Sequence, residues 1–152
     1  MEEDFKIIVD TREKLKLWTD NIILKKIDAG DYSFSFKEKD YSNIIAIERK
    51  TMADIVSTIS SGHARFKREL ERSRELDYFA IIIEGSHQQI QNKRYKGSKF
   101  SLMKGETINK ILTTLQVKYG INILFAGNKE NAKIMIKNTF VSYLHKIGEK
   151  IK

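Results

Sequence analysis

The sequence has no cysteine and no proline among its 152 residues. The absence of cysteine excludes disulfide bonds and thiolate metal sites, and it is compatible with a reducing compartment. Without proline, glycine and polar clusters must mark the ends of helices and strands. No apolar run approaches the roughly 18 residues that span a bilayer, so no membrane contact is expected. The N-terminal MEEDFKIIVD is acidic and then apolar, which is not the pattern of a signal peptide.

Acidic residues are scarce relative to basic ones. The chain has 28 Lys and Arg residues against 20 Asp and Glu residues, which gives a net charge of +8 and a pI near 9.5. Such a surface favours a polyanionic partner, and nucleic acid is the commonest one. The hydrophobic fraction of 41% and the charged fraction of 32% fit a globular chain with a full core. We therefore expect one domain over residues 1–152.

Apolar runs of strand length alternate with helical patterns along the chain. In LKKIDAGDYSFSF (24–36), Tyr32, Phe34 and Phe36 recur at every second residue, which is the period of a strand. Segment 86–105 has no clear period and no acidic residue, and we expect a mobile basic loop there. The predicted strands are 5–10, the arms of a hairpin over 29–50, 78–85 and 121–127, and the predicted helices run from a Thr51 cap to near Gly62 and over 63–76, 106–120 and 129–152. This order predicts an α/β fold, with a mixed central sheet flanked by helices.

Four acidic residues lie at or near the ends of predicted strands. Asp10 and Glu13 follow the first strand, whereas Asp31 and Glu48 lie on the two arms of the hairpin. Because hairpin arms are neighbours, the last two carboxylates are expected side by side, where they repel each other unless a cation lies between them. Mg²⁺ suits such a site because it prefers oxygen ligands. Lys50 shares a face of its strand with Glu48, and its ammonium can orient a metal-bound water or stabilise a phosphate.

Each of these positions also has a purely structural interpretation. Thr51 and Asp54 fit a helix cap, with the aspartate at the third helical position. Asp31 follows a glycine and fits a turn, and residues 48–50 fit a solvated strand end. Glu13 fits an acid in the first turn of a helix. Residue types and spacing alone leave the two interpretations open.

Three short motifs resemble the nuclease domain of the XPF family, a group that includes archaeal Hef. They are VDTRE (9–13), GDY (30–32) and IERKTMAD (47–54), which together match the GD…ERKxxxD signature of that family. The resemblance extends over residues 5–140. It implies a restriction-endonuclease-like fold and an enzyme that hydrolyses phosphodiester bonds of DNA with Mg²⁺ or Mn²⁺. It also implies cutting at branched, forked or flap DNA, and a role in DNA repair or recombination.

The resemblance further implies roles for individual residues. Asp31 and Glu48 would bind the metal, and Lys50 would be the catalytic lysine. The further metal ligands implied are Asp10, Glu13 and the backbone carbonyl of Arg49. The complete catalytic set implied is Lys50, Glu48, Asp31, Arg49 and Asp54.

DNA is the partner that both the charge and the resemblance predict, and no nucleotide cofactor is expected. The predicted DNA contacts lie after the first strand, on helix 63–76 and in the basic segment 86–105. They are Arg12, Arg65, Lys67, Arg68, Lys93, Arg94, Lys96 and Lys99. A homodimer is also expected, since the family commonly dimerises through this domain. The apolar stripes of 106–119 and 134–147 would supply that interface, unless they pack on the sheet.

The chain departs from the family pattern in two ways. Asp31 and Glu48 are 17 residues apart, with an insertion in the turn KEKDYSN. Neither a helicase domain nor a helix-hairpin-helix domain is recognisable within residues 1–152. Two alternatives remain beside a branch-cutting endonuclease: a non-catalytic DNA-binding or scaffold subunit, and a junction-resolving or end-processing nuclease. In each case we expect an intracellular protein, in the cytoplasm or nucleoid or in a nucleus, depending on the host.

Overall fold

The computed structural model describes residues 4–151, whose strands form one mixed sheet. Within this range the strands are β1 (Phe5–Val9), β2 (Ile22–Leu24), β3 (Tyr32–Phe36), β4 (Lys39–Asp40), β5 (Ile45–Thr51), β6 (Tyr78–Glu84) and β7 (Asn122–Phe125). The order across the sheet is β2-β1-β3-β5-β6-β7, and β4 pairs with β3. The predicted α/β fold with a mixed central sheet is confirmed.

The helices of the described range cover both faces of this sheet. They are α1 (Met52–Ser60), α2 (His63–Ser73), α3 (His87–Gln91), α4 (Gly105–Tyr119) and α5 (Lys129–Lys146), with a short 3-10 helix at Ser98–Phe100. Helices α2 and α5 end earlier than the sequence patterns predict. None of the helices in residues 4–151 is both long and apolar enough to cross a membrane.

Strands β5 and β6 are inner strands of the sheet, and β5, β6 and β7 run parallel. Side chains alternate along β6, so Ile82 packs into the core on the α5 side while Ile81 packs into the core on the α1, α2 and α4 side. The same alternation holds along β5, where Ile47 faces α5 and Ala46 faces the other helices. Residues 48–50 continue this alternation at the carboxyl end of β5. Glu48 and Lys50 therefore face the α1, α2 and α4 side, and Arg49 faces the α5 side.

The predicted hairpin over 29–50 is present in a modified form. β3 and β5 are antiparallel, but their recorded register is a single pair, Tyr32 with Ile47. The chain first turns back through β4, which pairs Ser35 with Asp40, before it enters β5. The insertion in the turn therefore forms its own small strand pair, and the start of β3 remains next to the end of β5.

Segment 86–105, in which we expect a mobile loop, begins with a helix, because residues 87–91 form α3. Ser86 caps this helix by accepting a hydrogen bond from the Gln89 amide, and the Gln89 side chain accepts one from the Ser86 amide. Ile90 is fully buried. Gly105, the first residue of α4, packs directly against α3. A Cβ added at Gly105 would lie only 2.1 Å from the carbonyl oxygen of Ile90, so no side chain fits at this position.

Candidate active site

Adjacent strands bring Asp31 and Glu48 together. The Asp31 amide donates a hydrogen bond to the carbonyl oxygen of Ile47 at 2.9 Å, which places Asp31 beside the residue that follows Ile47. The two carboxyl groups lie within hydrogen-bonding reach of each other. Gly30 permits this approach, because its φ is +84° and an added Cβ would lie 3.1 Å from both Ala46 Cβ and the Ile47 oxygen. The glycine of the GD motif is therefore required by packing and by backbone conformation.

The backbone of β5 holds the Asp31 side chain in place. The Arg49 amide donates a hydrogen bond to Asp31 Oδ2 at 2.7 Å. Lys50 Nζ lies 3.5 Å from Glu48 Oε2, so the ammonium and both carboxylates form one cluster on the α1 and α2 side of the sheet. The prediction that Glu48 and Lys50 share a face of the strand is confirmed.

Burial makes negative charge costly at this cluster. Burial, followed by the neighbouring charge of Asp31, raises the pKa of Glu48 well above its usual value. Burial also raises the pKa of Asp31, although the hydrogen bonds from its neighbours and the charge of Lys50 oppose this. Burial alone would lower the pKa of Lys50, but the surrounding carboxylates outweigh it and raise the pKa. Lys50 is therefore a cation here, and the carboxylates still favour additional positive charge.

Glu69 on α2 is a member of this cluster that the sequence analysis missed. Its charge and its carboxyl group act directly on Glu48, and its Oε1 is buried without a hydrogen-bond partner. The signal was present in the sequence, because Glu69 falls between the inward-facing Phe66 and Leu70 at helical spacing. Its neighbour on the helix, Glu71, instead pairs with Arg74 at the exposed surface.

The cluster lines an open cleft of about 400 Å³. Its walls come from the turn before β3, the end of β5 and the facing sides of α1 and α2. The polar and charged residues that line it are Asp10, Arg12, Asp31, Glu48, Lys50, Ser57, Thr58, Ser61, Arg65, Glu69 and Arg72. Strands and helices from distant parts of the sequence thus direct carboxylates and guanidinium groups into the same space.

Asp10 is buried and already fully hydrogen-bonded. Its Oδ1 accepts hydrogen bonds from the amide and Nε of Arg12, and its Oδ2 accepts them from Arg12 Nη2 and the Ile27 amide. Burial raises the pKa of this carboxyl, but the hydrogen bonds from Arg12 and Ile27 outweigh it and hold the pKa below its usual value. These contacts favour a structural role, in which Asp10 ties the chain after β1 to the loop before β3. Its predicted role as a metal ligand stays a prediction.

Arg49 points to the opposite side of the sheet. Its Nε donates to Glu84 Oε1 at 2.6 Å, its Nη1 lies 3.7 Å from Glu13 Oε2, and Nη1 also donates to the Leu15 carbonyl oxygen. Burial, followed by the charge of Asp31, raises the pKa of Glu13. The structure thus places Glu13 beside the Arg49 side chain, and Glu13 does not line the cleft.

The remaining predicted residues lie at different distances from the cleft. Asp54 is exposed at the start of α1, where its amide donates to Thr51 Oγ1, and it does not line the cleft. Arg65 lines the cleft, whereas Lys67 and Arg68 do not. Lys93 Nζ donates to the Ser101 carbonyl oxygen at 2.7 Å, so this side chain links two parts of the basic segment 86–105. The exposed Lys and Arg side chains of that segment are Arg94, Lys96, Lys99 and Lys104.

Comparison with known proteins identifies the family. A model of the ERCC4 domain matches residues 7–139 of the chain. The chain belongs to the ERCC4 domain family. A comparison with curated proteins found no match.

Solved structures similar to this ERCC4 domain include XPF from Aeropyrum pernix. That structure has a TM-score of 0.67 and 22% identity, with 93% of this chain and 68% of the other covered. A second structure, of the same protein in complex with DNA, has a TM-score of 0.64 and 23% identity, with 88% of this chain and 62% of the other covered. These matches confirm the restriction-endonuclease-like fold of an XPF-type nuclease domain.

Membership of the ERCC4 family supports a DNA nuclease as the class of function, and nucleases of this family generally depend on a divalent metal. The donors in the cleft fit such an ion, since the neighbouring Asp31 and Glu48 present hard oxygens. Across residues 4–151, no three acidic or histidine side chains converge closely enough to hold a metal by themselves. The donor set is therefore partial, as Mg²⁺ sites that retain water and bind substrate phosphate commonly are.

Proposed function

We propose that the chain is a Mg²⁺- or Mn²⁺-dependent endonuclease that hydrolyses phosphodiester bonds of DNA at branches, forks or flaps. The observation that carries this proposal is the meeting of Asp31, Glu48 and Lys50 in one cleft. A buried and a half-buried carboxylate with an ammonium beside an open space match the needs of phosphodiester hydrolysis, which creates negative charge on the phosphate.

In this mechanism Asp31 and Glu48 would hold the metal ion. The ion would polarise the phosphate and lower the pKa of a bound water. The Arg49 amide holds Asp31 in position, and Gly30 lets the two strands approach. The ammonium of Lys50 stabilises the charge that develops on the phosphate, because the surrounding carboxylates keep it protonated.

Arg65 and Arg72 are the cations on α2 that reach the cleft, and we assign them to the DNA backbone. Both line the cleft, and Arg72 Nε also donates to the Asp28 carbonyl oxygen at 3.2 Å. Arg12 lies at the mouth with 60% of its side chain exposed, while its guanidinium remains bonded to Asp10. Guanidinium groups suit phosphate because they donate two parallel hydrogen bonds. Recognition in this cleft would therefore depend on the DNA backbone rather than on base sequence.

The test is cleavage of a labelled panel of fork, flap, four-way junction, duplex and single-stranded DNA. With Mg²⁺ or Mn²⁺ the wild-type chain should cut at least one branched DNA, and a chelator should stop it. Lys50→Ala and Asp31→Ala should each abolish cutting while retaining the wild-type circular dichroism spectrum and binding to the same DNA. If both variants cut at the wild-type rate, the assignment of the centre is wrong. A wild-type chain that binds the fork but cuts nothing in either metal would instead favour the non-catalytic subunit.

A homodimer is part of the proposal, and the buried residues of the stripes 106–119 and 134–147 would not form its interface. Ile108, Leu112 and Leu115 of α4 pack into the core with β6 and β7, and Ile136 and Phe140 of α5 pack into the opposite core. The alternative, that these stripes pack on the sheet, therefore holds for these residues. Sedimentation equilibrium over a range of protein concentrations would determine whether the chain dimerises.

A further inference from the structure

A second groove lies across α1 from the acidic cleft. It has a volume of about 430 Å³ and is formed by one side of α1 and the segment from Tyr95 to Met103. Ser57 lines both the groove and the cleft, so a single helix separates the two spaces. A DNA molecule held in the cleft would therefore pass close to the groove.

The outer wall of the groove is apolar and exposed to solvent. Phe100 is 80% exposed and Leu102 is fully exposed, and only one residue separates them in the chain. Val56 and Met103 supply apolar surface on the inner side. Single exposed apolar residues are normal, but two such side chains at the edge of an apolar groove indicate a binding surface.

The groove also contains a polar group without a partner. The hydroxyl of Tyr95 is buried and makes no hydrogen bond within the described residues. A buried hydroxyl without a partner is unfavourable, so a ligand that offers a hydrogen-bonding edge would be stabilised here. A ligand that fits is flat, apolar on its faces and polar at its edge.

The charge around the groove indicates the chemistry of its occupant. Segment 85–105 has no acidic residue, and its exposed cations flank the exposed Phe100 and Leu102 in the sequence. Lys99 Nζ lies 5.2 Å from the centre of the Phe100 ring. At this basic surface, charge favours a polyanion over a second copy of the chain, whose net charge is +8. The exposed cations are Arg94, Lys96, Lys99 and Lys104.

We propose that the groove binds an unpaired nucleobase of the DNA, adjacent to the duplex held in the cleft. The inference rests on the proposed function, since it names the part of the DNA that this surface contacts. Phe100 and Leu102 cover the faces of the base, Tyr95 contacts its edge, and Arg94 and Lys96 contact the neighbouring phosphates. Aromatic side chains beside cations are the usual means of holding single-stranded nucleic acid without reading its sequence.

The test measures DNA binding by fluorescence anisotropy in a chelator, so that no substrate is cut. The ligands are a fork with unpaired arms, the same fork with abasic sites in the unpaired nucleotides next to the duplex, and a blunt duplex. The test variants are Phe100→Ala with Leu102→Ala, and separately Tyr95→Phe. The matched control is Val117→Ala with Ile134→Ala, which removes two exposed apolar side chains from α4 and α5.

For the wild type, abasic sites should weaken fork binding about tenfold, the size expected for lost base stacking. The Phe100 and Leu102 double variant should bind the normal fork about tenfold more weakly, lose nothing further with abasic sites, and bind the duplex like the wild type. Tyr95→Phe should weaken binding of the normal fork by less than the double variant does, and should leave binding of the other two DNAs unchanged. The control variant should match the wild type on all three ligands.

Three results would overturn this inference. The first is a double variant whose affinity falls equally for the fork and the duplex. The second is a wild-type chain whose affinity for the fork is unchanged by abasic sites. The third is a control variant whose affinity for the fork falls as much as that of the double variant. If the wild type cuts a fork in a Lys50-dependent manner while abasic sites have no effect, this inference fails and the proposed function stands. If the wild type binds none of the three DNAs, both fail.

Discussion

The two faces of β5 at its carboxyl end contain similar side chains but differ in how their charges are compensated. On the α5 side, the guanidinium of Arg49 contacts both carboxylates directly: Nε donates to Glu84, Nη1 lies 3.7 Å from Glu13, and Nη1 also donates to a backbone oxygen. On the other side, Asp31, Glu48 and Glu69 lie around the ammonium of Lys50, and burial raises the pKa of both Glu48 and Asp31. A matched cluster stabilises the fold, whereas a cluster that lacks positive charge is suited to bind a cation. The contrast explains why three adjacent charged residues have different roles.

The largest expected effect is on the face of β5 that contains Glu48 and Lys50, which we call the cation-deficient face. Glu48→Gln removes a carboxylate from the proposed metal site, and we expect cleavage to fall at least about a hundredfold. Without metal, the same variant should be more stable than the wild type by about 1 kcal/mol, because it no longer buries a charge among like charges. Cleavage kinetics and urea unfolding in a chelator measure the two effects. A variant that cuts normally, or that is less stable without metal, would remove the contrast between the faces.

The matching experiment on the opposite face is Arg49→Ala. It leaves Glu84 buried without its partner, so we expect the free energy of unfolding to fall by about 3 to 5 kcal/mol. Adding Glu84→Gln should restore part of that loss, because the uncompensated charge is removed. Lys37→Ala is the control, since it breaks the exposed pair with Glu149 and should cost less than about 1 kcal/mol. An Arg49→Ala loss no larger than that of the control would show that this face is not structural.

A smaller effect is expected at Asp10, where all hydrogen-bonding positions are in use. Asp10→Asn should lower the free energy of unfolding by about 2 kcal/mol at neutral pH. Because the pKa of Asp10 is lowered in the folded chain, its contribution is present above its ordinary pKa of 3.8 and is lost as the pH falls further. The stability difference between wild type and variant should therefore shrink as the pH falls through that value. A difference that grows in acid would contradict the assignment of Asp10 as a structural anchor.

The smallest expected effect is at Glu69. Glu69→Gln keeps the shape of the side chain and removes one of the carboxylates next to Glu48, so metal-free stability should rise by about 1 kcal/mol or less. Glu71→Gln on the same helix is the control, because its partner Arg74 is exposed and its loss should not stabilise the chain. Thermal unfolding of both variants in a chelator compares them directly. If Glu69→Gln is the less stable of the two, Glu69 does not belong to the cation-deficient cluster.

The parts of the molecule that the sequence predicts best are those with strong periodic patterns. The run YFAIIIE at β6 and the alternation of residues 48–50 predict burial and facing correctly, because both follow from strand geometry alone. β2 and β4 were not predicted, since they have three and two residues, contain no buried side chain and depend on pairing with distant strands. The pattern of neighbouring residues in the sequence carries no information about pairing with a distant strand.

The same limit applies to the candidate site. Asp31, Glu48 and Lys50 were predicted from the order of the strands, which bring them together whatever the length of the intervening turn. Glu69 belongs to a different element, and its position in the cleft depends on how α2 packs against the sheet, which no local motif encodes. α3 was missed although the capping pair Ser86 and Gln89 was visible, because five residues are too few to show a helical period.

The most direct test of the account is calorimetric titration of Mn²⁺ into the wild type, Glu48→Gln and Arg49→Ala, without DNA. If the Glu48 face is the metal centre and the Arg49 face is structural, the wild type binds the ion, Glu48→Gln binds it at least about tenfold more weakly, and folded Arg49→Ala binds it within about threefold of the wild type. Wild-type affinity in Glu48→Gln, or an equal loss in both variants, would contradict the division of roles between the two faces of β5.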